Sequence, residues 1–385
     1  MANLDIDFVL SRGVEKVYPS KEALAALMAK KKIKLYQGFD PSMPNLHLGN
    51  FVGLMKLRQF QKLGHEVVFL VGDFTGMIGD PSDKLATRKK LNREDVLNNA
   101  KSWKEQAGRV IDFKGNNAAH FEFNSKWNDK LTFKDLIEIT SNFTVQQMLE
   151  RDMFQERIKE NRPIHLHEFF YPVAQAIDCV EMDVDLEIGG SDQIFNMLAG
   201  RTLMKATKNK EKFVLATKLL IDSKGEKVGK TTGNALFLNS TPEIFYAGIM
   251  SFPDETIKLG FELLTEVDLI GLDEKIKKDP MAEKKRLAFE IVKILWGESK
   301  AKDAEISFKK TFQQKAPSFT KEINNLETLG QTIAQLIEVG STSKAKRLIE
   351  DGAVKINDAT IINPTQKINT GDRIKVGKKI FVIVK

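Results

Sequence analysis

The stretch IKLYQGFDPSMPNLHLGN, residues 33–50, joins an apolar run to a polar, glycine-bearing turn. Its opening IKLYQGF predicts a buried strand, and residues 51–63 repeat apolar side chains at helical spacing. The turn PNLHLGN therefore lies between a strand and a helix, where ligands bind in open parallel sheets. The helix N-terminus favours an anion, Gly49 allows close approach, and His47 can donate a hydrogen bond. An ordinary turn with a satisfied histidine is the alternative.

Strand-like and helix-like segments alternate over the first part of the chain. EVVFLVG (residues 66–72) is a β-branched apolar run that predicts a buried parallel strand, and FEFN (121–124) and DVDLEIGG (183–190) predict two more. Strands that alternate with helices predict an α/β fold with a mainly parallel sheet. Helices are predicted at residues 92–110, 132–139 and 145–151, and after Glu168.

The pattern becomes helical in the second part of the chain. Thr241 predicts a helix cap and Pro242 the first helical position, and helical spacing is clearest over residues 283–296. Residues 308–328 are polar and poorly periodic, which predicts a linker. The last part predicts a helix over residues 342–350, then the strands AVKIN, DRIKV and KIFVIVK. The predicted domains are residues 1–238, 239–328 and 329–385.

Charge is distributed unevenly along the chain. There are 59 basic and 52 acidic side chains, a net charge of +7, and residues 330–385 hold ten Lys or Arg against five Asp or Glu. Most of the excess therefore lies at the C-terminal end. This favours a polyanionic partner, and a solvated lysine-rich surface is the alternative.

The composition is that of a globular chain, with 42% apolar and 29% charged residues. No apolar run approaches the roughly 18–20 residues of a membrane span, and the N-terminus lacks the regions of a signal peptide. The single cysteine, Cys179, excludes an internal disulfide framework and a cysteine-based zinc cluster. We therefore expect a cytoplasmic protein with no membrane partner.

A second polar segment, SKGEKVGKTTGN (residues 223–234), is glycine-rich and carries Lys227 and Lys230 among its three lysines. It follows TKLLID, which predicts a strand. A flexible loop with spaced lysines can close over a triphosphate and neutralise charge in the transition state. It is not a Walker A loop, because only three residues separate Gly225 from Gly229. Taken alone, a lysine-rich loop is weak evidence.

HLGN and KVGKT together resemble the two signatures of class I aminoacyl-tRNA synthetases. Five stretches occur in the order and context of the tyrosyl-tRNA synthetase family, namely YQGFDPSMPNLHLGN, TGMIGDPSDK, YPVAQAID, GGSDQ and KVGKT. The C-terminal GSTSKAKRLIEDGAVKINDATI and GDRIKVGKKIFVIV look like the small RNA-binding domain of bacterial members. The resemblance covers nearly the whole chain, and its ordered motifs are specific together.

The resemblance implies a Rossmann-like catalytic domain, an α-helical domain on the anticodon side and a small α+β RNA-binding domain. It implies that L-tyrosine attacks the α-phosphate of ATP, that pyrophosphate leaves, and that tyrosine passes to the 3′ end of tRNA(Tyr). Positioning and charge stabilisation can supply the rate without an enzyme nucleophile. The implied partners are ATP with Mg²⁺, L-tyrosine, tRNA(Tyr) and a second copy of the chain in a homodimer. No structural metal is expected.

The resemblance also assigns residues to phosphate and tRNA. The implied catalytic residues are His47, on phosphate oxygens in the transition state, and Lys227 and Lys230, on pyrophosphate. The residues implied for ATP are Asp40, Ser42, His47, Asn50, Gly190, Asp192, Lys230 and Thr231. A glycine turn with Ser191 or Asp192 as helix cap is the alternative for GGSDQ. The residues implied for tRNA are Lys84, Arg88, Lys344 and Arg347, of which Lys84 and Arg88 are equally compatible with solvated charges.

The amino-acid pocket implied by the resemblance places Tyr36 and Asp178 at the substrate hydroxyl. Tyr171, Gln175 and Asp178 are spaced i, i+4 and i+7 and share one helix face, for which an ordinary half-polar stripe is the alternative. A buried phenol and carboxylate lose a partner when the substrate lacks a hydroxyl. The residues implied for tyrosine are Tyr36, Gly38, Asp40, Thr75, Asp80, Tyr171, Gln175, Asp178 and Gln193.

Both family signatures are altered in this chain. Asn50 stands where a histidine is usual, and KVGKT has glycine and threonine where serines are usual. HLGN is also common among tryptophanyl relatives, whereas Tyr36 and Asp178 favour tyrosine. The alternatives to a tyrosine enzyme are a class I enzyme for tryptophan and a non-catalytic RNA-binding relative that kept the fold.

Overall fold

The computed structural model describes residues 4–81, 91–225, 227–228, 235–313, 319, 321–336, 339–377 and 380–385. The chain forms two compact units. The first comprises Met1–Lys227 with Lys258–Ile270, and the second comprises Val228–Ile257 with Gly271–Lys385. Within the described ranges, no helix combines the length and the apolar character that crossing a bilayer requires.

The bounds of the regular elements are as follows. The strands are β1 (Val14–Tyr18), β2 (Lys34–Phe39), β3 (Glu66–Val71), β4 (His120–Phe123), β5 (Leu186–Gly190), β6 (Phe213–Thr217), β7 (Lys321–Ile323), β8 (Val354–Ile356), β9 (Ala359–Ile361), β10 (Arg373–Val376) and β11 (Ile380–Val384). The α-helices are α1 (Ile6–Ser11), α2 (Lys21–Lys30), α3 (Leu48–Lys62), α4 (Thr75–Ile78), α5 (Arg93–Ala100), α6 (Trp103–Ala107), α7 (Ser125–Asn128), α8 (Phe133–Thr140), α9 (Val145–Leu149), α10 (Asp152–Lys159), α11 (Phe170–Met182), α12 (Ile194–Lys208), α13 (Pro242–Met250), α14 (Ile257–Leu264), α15 (Leu272–Lys278), α16 (Pro280–Trp296), α17 (Glu298–Phe308), α18 (Leu329–Ala334) and α19 (Thr342–Glu350).

The sheet of the first unit has the strand order β1–β6–β5–β2–β3–β4. β1 runs antiparallel to β6, and the other neighbouring strands are parallel. The predicted α/β fold with a mainly parallel sheet is confirmed. From β2 the chain moves through β3 to β4 on one side, whereas β5 and β6 lie on the other side of β2. The strand order thus reverses between β2 and β5, and in such sheets ligands bind at the carboxyl ends beside the reversal.

The central strands and the first long helix lie close to where the sequence predicts them. β2, β3 and β4 fall within IKLYQGF, EVVFLVG and the segment around FEFN. The apolar side chains of β2 and β3 form the core of the sheet, and Phe121 of β4 stacks on Phe69 of β3 with 5.2 Å between ring centroids. α3 begins at Leu48 rather than at Phe51. The side chains of His47 and Asn50 form a capping box that starts the helix before its apolar pattern begins.

Two predicted elements of this unit are wrong. The single helix predicted over residues 92–110 is divided into α5 and α6. Near the break, Asn99 donates its side-chain amide to the carbonyl of Pro41 at 2.8 Å, and asparagine and serine in this segment have low helix propensity. TKLLID is not a strand, because β6 ends at Thr217 and Ile221 forms only a bridge with Lys227. An apolar pattern this short does not determine the element.

Arg12 binds the end of α14 and so connects this segment with the rest of the first unit. Its guanidinium donates to the carbonyl oxygens of Phe261 (2.6 Å), Glu262 (3.0 Å), Thr265 (3.1 Å) and Val267 (2.7 Å). The last carbonyl groups of a helix have no partner within it, and a cation there is also favoured by the helix dipole. One buried side chain therefore explains why this returning segment packs with the sheet unit.

In the second unit, α13 begins as predicted. The side chain of Thr241 accepts the backbone N–H of Ile244, and Pro242 is the first helical residue. Phe245 on α13 packs against Trp296 at the end of α16, with 5.4 Å between ring centroids. The helical character predicted for this part of the chain is confirmed over α13 to α17.

The C-terminal sheet has the strand order β7–β11–β10–β8–β9 and packs its core with α18 and α19. The helix predicted over residues 342–350 is α19, and the strands predicted in AVKIN, DRIKV and KIFVIVK are β8, β10 and β11. β7 comes from the segment predicted as a linker, because three residues are too few to show a period. The sequence did not predict β9 or α18.

Candidate active site

The turn after β2 carries His47 as the cap of α3. Its Nδ1 accepts the backbone N–H of Asn50 at 3.3 Å, and the side-chain oxygen of Asn50 accepts the backbone N–H of His47 at 2.9 Å. Because Nδ1 accepts, the neutral ring carries its proton on Nε2, which is then its donor. Gly49 makes room for the ring, since a Cβ there would lie 2.9 Å from Cε1 of His47. Two side-chain donors and a helix N-terminus thus lie in one turn.

Asp40 follows β2 directly and binds two hydroxyl groups. Thr75 Oγ1 donates to its Oδ1 and Tyr171 Oη donates to its Oδ2, both at 2.7 Å. A Cβ at Gly72 would lie 2.0 Å from Asp40 Oδ1, so only glycine fits there. Burial and the Asp40 carboxylate raise the pKa of Tyr171, which keeps its hydroxyl protonated and donating.

Asp178 is buried on α11 and accepts three side-chain donors. Trp127 Nε1 (2.7 Å) and Asn128 Nδ2 (3.1 Å) donate to Oδ1, and Asn124 Nδ2 (3.2 Å) donates to Oδ2. Asn124 also donates to Thr75 Oγ1 at 3.1 Å, which joins Asp178 to the network of Asp40. Burial raises the pKa of Asp178 to about 8, although the three donors oppose the rise.

Tyr36 and Gln175 meet at a third carboxylate, that of Glu187 on β5. The Tyr36 hydroxyl donates to Glu187 Oε1 at 2.6 Å, and Gln175 Nε2 donates to the same oxygen at 2.8 Å. Tyr36 is completely buried, and burial is the main cause of the raised pKa of its hydroxyl. Tyr171 and Gln175, which the sequence placed on one helix face with Asp178, therefore reach two different carboxylates, whereas Asp178 is linked to the network that Tyr171 joins.

The end of β5 carries an ion pair. Nζ of Lys227 lies 2.6 Å from Oδ2 of Asp192, and both side chains are partly exposed. Neither Ser191 nor Asp192 caps a helix here, so the capping alternative for GGSDQ is wrong. A Cβ at Gly190 would lie 2.6 Å from Asp192 Oδ1, which explains the glycine beside this carboxylate.

Asp80 lies between an amide and a guanidinium. Gln193 Nε2 donates to its Oδ2 at 2.7 Å, and a terminal nitrogen of Arg151 lies 3.6 Å from its Oδ1. Arg151 is buried, with its guanidinium over the rings of Phe154 and Phe195 at 5.4 and 5.2 Å. Two residues implied for tyrosine, Asp80 and Gln193, are thus hydrogen-bonded partners beside a buried cation.

The chain matches the family described as tRNA synthetases class I (W and Y) over residues 28–313. The curated tyrosine–tRNA ligases of Aquifex aeolicus and Haemophilus influenzae are each 39% identical to it. The alignments cover 97% and 99% of this chain and 96% and 98% of those proteins. The chain belongs to the tyrosyl-tRNA synthetases. The family predicted from the ordered motifs is confirmed.

Solved structures of synthetases agree on the fold. A C-terminally truncated mitochondrial tyrosyl-tRNA synthetase of Aspergillus nidulans is similar with a TM-score of 0.67 and 21% identity, over 81% of this chain and 95% of its own. The tyrosyl-tRNA synthetase of Archaeoglobus fulgidus, solved with L-tyrosine, is similar with a TM-score of 0.60 and 20% identity, over 78% of this chain and 99% of its own. The predicted Rossmann-like class I core is confirmed.

The other residues implied for this synthetase lie in several places. Gly38 and Ser42 are exposed at the end of β2, and a Cβ at Gly38 would meet only Leu70, at 4.0 Å. Lys344 and Arg347 lie on α19 in the second unit. Among the side chains that the structure describes, no group of three or more His, Cys, Asp and Glu could hold a metal ion. The residues that fall outside the described ranges are Lys84, Arg88, Lys230 and Thr231.

Several polar residues of the site are not predicted from the sequence, among them Glu187, Lys212, Trp127 and Arg151. DVDLEIGG alternates charged and apolar residues, as in a strand with one wet face. β5 is instead central in a mostly parallel sheet, where both faces are covered. An acid in such a strand needs a buried partner, which is the signal that could have identified Glu187. Trp127 and Arg151 carry no local signal, because their roles depend on tertiary contacts.

We expect Asp178→Asn to remove a pH-dependent part of the stability of this synthetase. A carboxyl group whose pKa is about 8 when folded contributes stability that is complete below its unfolded value of about 4 and is lost as the pH rises through 8. Between about pH 5 and pH 8 the Tm of the wild type should therefore fall relative to that of Asp178→Asn. Melting curves of the two proteins without substrates measure this difference. A difference in Tm between the two proteins that stays constant from pH 5 to pH 8 would contradict the raised pKa.

Proposed function

We propose that the chain is a tyrosine–tRNA ligase whose adenylate forms where β2 and β5 end. ATP activates L-tyrosine to tyrosyl-adenylate with release of pyrophosphate, and the tyrosyl group then passes to the 3′ end of tRNA(Tyr). One observation supports this location above others. Asp40, which accepts two hydroxyl groups, directly follows β2, and Asp192 follows β5, at the carboxyl ends beside the point where the strand order reverses.

The proposed tyrosine pocket recognises the two ends of the amino acid with different groups. Tyr36 and Asp178 recognise the phenolic hydroxyl, and both are buried, so a substrate without a hydroxyl deprives them of a partner. This favours tyrosine over phenylalanine and over tryptophan. The ammonium end is assigned to Asp80, Tyr171 and Gln175, with Gly38, Asp40, Thr75 and Gln193 nearby.

In the proposed activation step, negative charge is stabilised on the phosphate oxygens. The substrate carboxylate attacks the α-phosphorus as the bond to pyrophosphate breaks, and charge builds up on those oxygens. We assign this stabilisation to the Nε2–H of His47, with the N-terminus of α3 beside it. The side-chain amide of Asn50 is a second donor, and it compensates for the histidine that is usual at this position. Ser42 is assigned to ATP from its place in the same turn.

In this proposal, Asp192 is the partner of Lys227, in the loop SKGEKVGKTTGN, when no substrate is bound. A pair this exposed contributes little, so a ligand can replace it. When ATP binds, the ion pair breaks and each side chain takes a new partner. The ribose hydroxyls donate to Asp192, and pyrophosphate binds Lys227 together with Lys230. Gly190 lets the nucleoside approach, and Thr231 adds a hydroxyl to the loop.

The predicted domains keep their proposed roles. Residues 1–238 carry out catalysis, residues 239–328 face the anticodon side, and residues 329–385 hold tRNA. Arg347 is exposed on α19, and Lys344 lies one turn earlier on the same helix. Contacts of lysine and arginine with phosphate make such binding salt-dependent. Lys84 and Arg88 are proposed for the acceptor end.

The proposed cofactor and compartment follow from the reaction. Mg²⁺ would be held mainly through the phosphates of ATP and would neutralise part of their charge, since this ion keeps several waters and is commonly bound through substrate phosphates. The cytoplasm is the proposed location, because the single cysteine, Cys179, is a buried free thiol and the reaction serves translation.

Amino-acid-dependent ATP–pyrophosphate exchange, measured with all twenty amino acids and without tRNA, tests this function. We expect exchange with tyrosine alone, because only tyrosine supplies the hydroxyl that the buried groups require. Exchange driven by tryptophan would keep the class and overturn the pocket. Folded protein that binds tRNA but supports no exchange would instead favour the non-catalytic RNA-binding relative.

In the same assay, the variant His47→Ala tests whether His47 stabilises the charge that builds up on the phosphate oxygens. Loss of one donor to a developing anion lowers kcat by about 10²–10³-fold, and the KM for tyrosine should change little, since His47 is assigned to phosphate. His120→Ala is the matched control, because His120 is an exposed histidine on β4 that lies near Glu66. An equally small effect of both replacements would contradict the role of His47.

We propose that exposed apolar side chains in and after α8 form the interface of a homodimer. Phe133 and Ile137 are 79% and 57% exposed and lie four residues apart on one helix face. Val145, Ile158 and Leu166 are also exposed, and α8 contains no buried residue. Exposed apolar surface of this kind marks an interaction site.

The double variant Phe133→Glu/Ile137→Glu should convert this dimer to a monomer in sedimentation analysis. Two carboxylates buried without partners in an apolar interface cost several kcal/mol, on the order of what a moderate dimer gains. Ile270→Glu is the control, because Ile270 is exposed but lies outside this segment. A monomeric wild type, or a double variant that stays dimeric, would refute the interface.

A further inference from the structure

Glu187 is buried in β5, and four donors surround its carboxylate. Tyr36 Oη and Gln175 Nε2 donate to Oε1 at 2.6 and 2.8 Å, and Lys212 Nζ and Cys179 Sγ donate to Oε2, the thiol at 3.3 Å. An ionised carboxylate offers about four lone-pair sites and no proton. These donors therefore saturate Glu187, which is 1% exposed and can act on a substrate only through its neighbours.

Lys212 is the counter-ion of Glu187. It is fully buried, and its Nζ also donates to the carbonyl of Met197 at 2.8 Å. Gly200 on α12 leaves the space, since a Cβ there would lie 2.5 Å from Cys179 Sγ and 3.0 Å from Lys212 Nζ. Buried ion pairs are often no more stabilising than apolar residues of the same volume. Stability therefore does not account for the pair, and a role in orientation does.

We infer that Glu187, held by Lys212, is a positioning residue that fixes the direction of the hydrogen bonds offered to tyrosine. The inference rests on the proposed pocket. A carboxylate cannot donate a hydrogen bond, so the Tyr36 hydroxyl is the donor in its hydrogen bond with Glu187. Cys179 Sγ lies 3.1 Å from Tyr36 Oη, but its single proton is drawn to the anionic carboxylate. The oxygen of Tyr36 is then an acceptor for the substrate, and the phenol supplies the donor.

On the other side of the substrate phenol, Asp178 can extend this chain of hydrogen bonds with the same direction from donor to acceptor. Trp127, Asn124 and Asn128 occupy three of its roughly four lone-pair sites. Oδ1 already accepts two donors and Oδ2 accepts one, so the remaining site lies on Oδ2. Burial raises the pKa of Asp178 to about 8 and so favours a proton at that site, which the group can donate to the phenol oxygen. The hydrogen bonds then run one way, from Asp178 through the substrate and Tyr36 to Glu187.

Glu187 also orients the amide of Gln175. Because Nε2 donates to the carboxylate, the carbonyl oxygen of Gln175 is the acceptor that remains for a substrate ammonium. A glutamine at position 187 would allow either amide orientation and either direction of the Tyr36 hydroxyl. The negative charge at this position therefore selects one hydrogen-bond pattern at both ends of the amino acid.

The test is the double variant Glu187→Gln/Lys212→Met, with the single variant Glu187→Gln beside it. The double variant removes both charges at nearly constant volume and leaves no unpaired ammonium in the core. In ATP–pyrophosphate exchange we expect the KM for tyrosine to rise about tenfold and the KM for ATP to stay within about twofold. The ratio of kcat/KM for tyrosine to that for phenylalanine should also fall by about tenfold, since one oriented hydrogen bond is lost.

Asp185→Asn is the matched control. Asp185 precedes β5 and pairs with Lys31 at 2.9 Å and Lys210 at 3.3 Å. Its Oδ2 also accepts the backbone N–H of Lys34 at 3.0 Å, a bond that the side-chain oxygen of an asparagine can keep. We expect its selectivity for tyrosine over phenylalanine to equal that of the wild type. Loss of selectivity in the double variant but not in Asp185→Asn supports the positioning role.

Two outcomes overturn the inference in distinguishable ways. Tyrosine and phenylalanine parameters that change equally in the double variant, while Asp178→Ala loses selectivity, would refute the role of Glu187 and leave the pocket intact. If Asp178→Ala also keeps its selectivity for tyrosine over phenylalanine, the proposed pocket is refuted as well. Wild-type protein gives a second test that needs no variant. 4-Aminophenylalanine, which carries a donor, should be activated better than 4-fluorophenylalanine, and the reverse order would refute the inference.

Discussion

The site depends on the register between β2 and β5. Tyr36 pairs with Glu187 across these parallel strands, and on its other side Tyr36 pairs with Val68 of β3. Paired residues of neighbouring strands point to the same face, so the register itself brings the phenol to the carboxylate. A shift of one residue would send Tyr36 to the opposite face. The buried apolar side chains of β3 hold β2 in this register, so packing energy fixes the polar contact.

That constraint brings three acidic side chains close to one another, of which Asp178 and Glu187 are buried. Asp40 is satisfied by two hydroxyl groups, Asp178 by indole and amide donors, and Glu187 by Lys212 with a hydroxyl and an amide. In a medium of low dielectric constant, hydrogen bonds are strong and an unsatisfied group is costly. The three carboxylates thus hold their neighbours in fixed orientations before a substrate arrives, which is the condition for strong discrimination.

Features with a local pattern could be predicted from the sequence, and features that depend on contacts between distant elements could not. The strand before Asp40, the turn with His47 and the helix stripe of Tyr171, Gln175 and Asp178 each lie within a short stretch, and the structure places them as expected. Glu187 and Lys212 are 25 residues apart, and each has the character of a surface charge in its own segment. Only the strand order, which buries both, turns them into a pair.

The same distinction bears on what the family motifs determine. HLGN and GGSDQ are local, and they fix the positions of His47 and Asp192 through caps and strand ends. The direction of each hydrogen bond in the amino-acid pocket is determined by residues outside those motifs, because direction depends on which neighbour can donate a proton. A carboxylate at position 187 admits one direction, whereas an amide admits two. In the proposed pocket, specificity is therefore a property of buried charges as much as of signature sequences.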